Sequence, residues 1–154
     1  MTFRETAGEL AKALGAEIAV ENDTCAVSLG SEEGDKVTIL MQGLDERGMV
    51  LTCADLGDPP PEGREQLYQA LLEANDLYDG TAGATLSLDR RTGHVRLQRF
   101  DDMDALAAAG IARAFIAFAD TAAAWQRLVS NFRAAAKDGS GTDAPSAVDG
   151  LLRV

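Results

Sequence analysis

Apolar residues along the chain keep a helical period, then a strand period, then return through both. Phe3, Ala7, Leu10 and Leu14 fall on one helical face, with Gly15 as a stop. Between residues 17 and 56 the apolar positions alternate: Ile18 and Val20, then Cys25, Val27 and Leu29, then Val37, Ile39 and Met41, then Met49, Leu51 and Cys53. A side chain repeating every second residue lines one face of a strand, so this region predicts three or four antiparallel strands in a meander. Leu67, Leu71, Ala74 and Tyr78 restore the helical spacing, and Ala84, Leu86 and Leu88, then Val95 and Leu97, predict a hairpin around Thr92-Gly93. Ile111, Phe115, Phe118, Ala122, Trp125, Val129 and Phe132 then repeat in steps of three and four, which makes a last long core helix. The predicted class is α+β: an antiparallel sheet with helices packed on it, in the order α-β-β-β(-β)-α-β-β-α.

Local signals sharpen these boundaries. Thr2 and Glu5 have the spacing of a capping box, and Pro59-Pro60-Pro61 form a stiff connector that starts the helix of residues 62–77. The acidic turn at 31–35 lacks the alternating oxygen ligands and closing glutamate of a calcium loop, so it reads as a solvated turn. After residue 136 the composition changes to Gly, Ser, Asp and Pro, which cannot offset ordering entropy by burial. Residues 1–136 are therefore expected to form a single domain and 137–154 a flexible polar tail.

Composition then narrows the functional classes. The 154 residues carry 25 acidic and 14 basic side chains, a net charge of -11, which opposes binding to nucleic acid or to anionic lipid. The basic residues Arg90, Arg91, Arg96 and Arg99 gather in the hairpin, a contact for acidic groups of this chain or of a partner. Cys25 and Cys53 lie in apolar strand-like surroundings without metal or redox spacing, which suits reduced thiols in a cytoplasm. No apolar run near Met1 is long enough for a signal peptide or a membrane span. His94, the one histidine, sits beside a turn glycine and reads as an exposed loop residue rather than a general base. With no nucleophile elbow, phosphate loop, dinucleotide fingerprint or His/Cys cluster, the sequence predicts no enzyme, no cofactor and no metal site.

The element order and a set of short motifs carry a resemblance. Leu14-Gly15 ends the first helix, Leu56-Gly57-Asp58-Pro59 ends the meander, and Leu71-Leu72-Glu73-Ala74-Asn75 lies in the middle helix. Leu86-Ser87-Leu88-Asp89 with Thr92-Gly93, and a final helix with Phe118 and Trp125, follow in register. Over residues 1–136 the chain resembles the class I type III secretion chaperones, the Tir-chaperone-like family. That resemblance implies a small acidic homodimer of the bacterial cytoplasm. It would hold the amino-terminal chaperone-binding segment of a secreted effector soluble and extended, for delivery to a secretion apparatus. Carried onto this sequence, it implies a partner-binding surface at Leu10, Leu14, Ile18, Val20, Val27 and Leu29. It also implies a dimer interface at Leu67, Leu71, Leu72, Asn75 and Leu86. A regulatory module of the same fold, sequestering an adaptor or anti-activator, would use the same groove.

Overall fold

Thr2 starts the first helix by the reciprocal bonding its sequence predicts. Its hydroxyl accepts from the Glu5 N–H at 3.3 Å, while the Glu5 carboxylate accepts from the Thr2 N–H at 2.8 Å. The Thr2 N–H, and the Thr2 hydroxyl at 3.0 Å, donate to the Glu5 carboxylate and hold it below its ordinary pKa. The computed structural model describes residues 1–30 and 36–137. The acidic turn at 31–35, which reads as solvated, and residues 138–154 of the expected tail lie outside the described residues.

Helix α1 (Phe3–Leu14) ends at Gly15, whose left-handed conformation (φ 63) closes the last turn. Strands β1 (Thr24–Leu29), β2 (Val37–Leu44) and β3 (Met49–Gly57) form the predicted meander. The stretch 17–20, read as a strand from Ile18 and Val20, has no ladder of its own, and only an isolated bridge, Glu21 to Thr24, follows it. Helix α2 runs over Arg64–Asn75, capped by Gly63 rather than started by a proline, so the three prolines lie wholly in the connector. Strands β4 (Thr85–Leu88) and β5 (Val95–Asp102) make the hairpin. A short helix, α3 (Met103–Ala109), is capped by the Asp102 carboxylate, which accepts from the Ala105 N–H at 2.8 Å. Gly110 (φ 95) separates it from the long helix α4 (Ile111–Lys137). The five strands are hydrogen-bonded in the order β1-β2-β3-β5-β4.

The chain divides into two compact units. The first comprises Met1–Ala54 and Gln98–Asp120, the second Asp55–Leu97 and residues 121–137.

In the first unit the register pairs Cys25 with Met41, Val27 with Ile39 and Ile39 with Ala54, so these buried residues share the inner sheet face. Helix α1 packs there because Gly43 leaves room: a Cβ at that position would sit 2.3 Å from the Phe3 Cβ. Phe3, Ala7 and Leu10 are fully covered, each large side chain worth roughly 1.5–3 kcal/mol of transfer. Arg99 also lies on this unit's inside, bonded through Nε to Asp101 at 2.8 Å and stacked over the Phe118 ring at 5.4 Å.

In the second unit Leu67, Leu71, Ala74, Ala84, Leu86, Val95, Leu97, Trp125 and Val129 are buried. Trp125 donates its indole N–H to the Gly80 carbonyl at 2.8 Å, which removes the desolvation penalty of both groups.

Candidate protein-binding surfaces

Alternation in the meander leaves one sheet face to α1 and turns the other outward. In the first unit the pairing sets Ala26 opposite Leu40 and Leu40 opposite Cys53, and sets Gln42 opposite Leu51. The Met103 N–H donates to the Gly48 carbonyl at 2.9 Å, and extending that ladder brings Phe100 beside Leu51. Leu40 is 46% and Phe100 55% exposed, while Leu51 and Cys53 are half-buried, so an apolar strip crosses the outer face. Among the described residues no strand pairs with the far side of β1, so its main-chain donors and acceptors form an open edge. The sequence missed this strip because Leu40 and Phe100 fall on positions that alternation assigns to solvent, while Leu51 and Cys53, read as one apolar strand face, lie on the outer face because β3 buries Val50, Thr52, Ala54 and Leu56 instead.

The residues expected to bind a partner fall in two groups. Leu10 and Val27 are buried in the first unit's core. Leu14, Ile18, Val20 and Leu29 are half-buried, at the end of α1, along the stretch leading to β1 and at the end of that strand.

The residues expected at a dimer interface also divide. Leu67, Leu71 and Leu86 are buried within the second unit, whereas Leu72 is 72% exposed. Asn75 turns its side chain onto the main chain of β4, accepting from the Leu86 N–H at 2.8 Å and donating to the Leu86 carbonyl at 3.0 Å. Two exposed apolar residues follow α2: Leu77 at 81%, which spacing did not single out, and Tyr78 at 53%, which spacing set on the buried helix face but which lies beyond the end of α2. Both have positive φ, 52 and 60, which turns the chain sharply without a glycine.

Polar chemistry is sparse. Burial pushes the Cys25 thiol up, away from thiolate reactivity, and neither cysteine is in a disulfide. Among the described residues no group of His, Cys, Asp and Glu is disposed to hold a metal ion. His94 is not the exposed loop residue its position predicts: it is half-buried, with Nδ1 2.8 Å from the Asp55 carboxylate and Nε2 2.9 Å from that of Asp58. No single described helix is long and apolar enough to cross a membrane.

A family model, the Tir chaperone protein (CesT) family, matches residues 7–126. The chain belongs to that family. The resemblance to the class I type III secretion chaperones is thus one of membership, and the α+β order is the family's fold. Solved structures agree on the fold. A chain of the HopA1–SchA chaperone–effector complex aligns with a TM-score of 0.61 at 15% identity, over 81% of this chain and 93% of that one. A chain of the ExsC–ExsE complex gives 0.60 at 24%, over 81% and 91%. A chain of the heterodimeric ExoU–SpcU complex from the type III secretion system of Pseudomonas aeruginosa gives 0.50 at 23%, over 82% and 93%. No curated protein matches the chain in sequence.

Proposed function

We propose that this chain is a type III secretion chaperone that binds the amino-terminal segment of an effector and keeps it soluble and extended for export. The observation that carries the reading is the outer sheet face of the first unit, where Leu40 on β2 and Phe100 on β5 stand exposed, in a sheet whose β1 edge is open. An extended peptide can pair with such an edge through its main chain or lie across the strip with its apolar side chains against it, so affinity comes from many small contacts. The half-buried Leu14, Ile18, Val20 and Leu29 extend the apolar contact, with Leu10 and Val27 as the core beneath. A net charge of -11 keeps a protein with exposed apolar surface in solution and favours basic segments. The work is binding: the reading requires no cofactor and no catalytic group.

The functional form is a homodimer joined through the second unit, by Leu72 with Leu77 and Tyr78, over the buried Leu67, Leu71 and Leu86 and the Asn75 clamp. The test is co-purification from the native host with tagged wild type, Leu40→Asp and Phe100→Asp. The reading requires that wild type retain a partner, that deletion of the partner's amino-terminal segment release it, and that each substitution weaken capture at unchanged thermal stability. A partner held equally by both variants, or through its carboxyl-terminal part, refutes it.

A further inference from the structure

His94 faces one carboxylate with each ring nitrogen. Nδ1 lies 2.8 and 3.0 Å from the two oxygens of Asp55, at the end of β3, and Nε2 lies 2.9 Å from Asp58 in the connector that follows. A neutral imidazole has a single N–H, so one of these contacts would set a lone pair against a carboxylate. Only the doubly protonated ring donates to both. Arg133 of α4 reaches the other oxygen of Asp58 at 3.3 Å. We propose that His94 is a proton-operated latch that fastens the connector between β3 and α2 to the β4–β5 hairpin.

The connector is built to depend on such a fastening. Beside the buried Leu56 and Pro60, further side-chain hydrogen bonds among the described residues are local: the Asp55 carboxylate accepts from the Gly57 N–H at 2.9 Å, and Arg64 Nε donates to the Pro60 carbonyl at 2.9 Å. Prolines at 59, 60 and 61 supply no N–H that could join a ladder. His94 thus joins this segment to the hairpin, and Arg133 joins it to α4.

The charges around the ring act in one direction. The hydrogen bond to Asp55 raises the His94 pKa, partial burial opposes it, and the charges of Asp55, Asp58 and Asp89 raise it further. Asp89, at the end of β4, is itself engaged by Arg96 and by the Arg91 N–H, and Arg133 engages Asp58. The folded pKa therefore lies above the unfolded value of about 6.5. A raised pKa stabilises the closed form fully below about pH 6.5, and that contribution is lost as pH rises through the folded value. All three side chains are partly exposed, so the effect is local opening of residues 55–63 rather than global unfolding.

The full-length protein tests this directly, because His94 is its one histidine and its ring resonances need no assignment. A proton NMR titration should place its pKa above 6.5, and the double variant Asp55→Asn/Asp58→Asn should return it toward that value. Hydrogen exchange of residues 55–63, corrected for intrinsic base catalysis, should accelerate across the wild-type titration and be fast and independent of pH in His94→Gln. A ring that titrates at or below 6.5, or exchange of 55–63 that stays flat across the wild-type titration, overturns the latch. If His94→Gln fails to fold, the two wild-type measurements still decide.

Discussion

The carboxamide of Asn75 closes both main-chain groups of Leu86, accepting from its N–H at 2.8 Å and donating to its carbonyl at 3.0 Å. A helix side chain here stands where a neighbouring strand would stand. β4 is the last strand of the sheet on its side, so Asn75 satisfies an edge that would otherwise offer unpaired groups. β1, at the opposite end of the strand order, has no comparable cover among the described residues. Asn75→Ala is expected to lose roughly 2–3 kcal/mol, two hydrogen bonds plus the penalty of leaving a partly buried pair unmet. Urea unfolding measures this, and a loss below half a kcal/mol would assign Asn75 no clamping role.

Gly43 is a packing requirement rather than a hinge. Its missing Cβ is replaced by the Phe3 side chain, so Gly43→Ala forces α1 off the sheet or Phe3 off its rotamer. We expect a loss of about 1–3 kcal/mol, the usual range for overpacking, read as a lowered thermal midpoint. Gly8→Ala, in the same unit with open space around it, serves as the control.

Trp125 is the one tryptophan and reports on the second unit. Trp125→Phe removes the donor to the Gly80 carbonyl and leaves that carbonyl buried without its partner. A destabilisation of roughly 2–4 kcal/mol is expected from the lost bond and the vacated volume. Circular dichroism measures it, since the variant lacks the fluorophore.

Leu72→Asp and Tyr78→Asp should leave folding intact, because both side chains are exposed, yet shift the mass found by sedimentation from dimer to monomer. Leu71→Asp is a different experiment: its side chain is buried, so an uncompensated charge would unfold the second unit. A wild type that sediments as a monomer at micromolar concentration would remove the dimer from the functional reading.

Periodicity gave the element order but not every buried face: β3 buries Val50, Thr52, Ala54 and Leu56 and leaves the alternating set Met49, Leu51 and Cys53 half-buried. The seam from Ile111 to Val129 is buried as its spacing requires, and the alternation of Val37, Ile39 and Met41 gives the inner sheet face. Chain breaks made by backbone geometry were harder to see. Ile18 and Val20 alternate like a strand but lie outside the ladder, because the Glu21–Thr24 bridge is a tight local turn. The surfaces were legible only in part. Apolar spacing identifies what is buried, so the surfaces that the resemblance mapped onto spaced positions took in Leu10, Val27, Leu67 and Leu86, which the core uses, and passed over Leu40 and Phe100. The His94 cluster was invisible for another reason: it joins residues 39 positions apart, which no local pattern records.

Leu77 and Tyr78 place two consecutive side chains in the left-handed region, at roughly 1–2 kcal/mol for each such residue. Glycine would relieve that tension at Leu77, and after its greater freedom in the unfolded chain is subtracted, Leu77→Gly should gain up to about 1 kcal/mol. A chain selected for durability alone would have taken that exchange. Variants ranked by heat resistance should therefore favour glycine at 77, while variants ranked by self-association should reject it. The divergence of those two rankings at a single position would measure how far assembly, rather than folding, governs the choice of residue there.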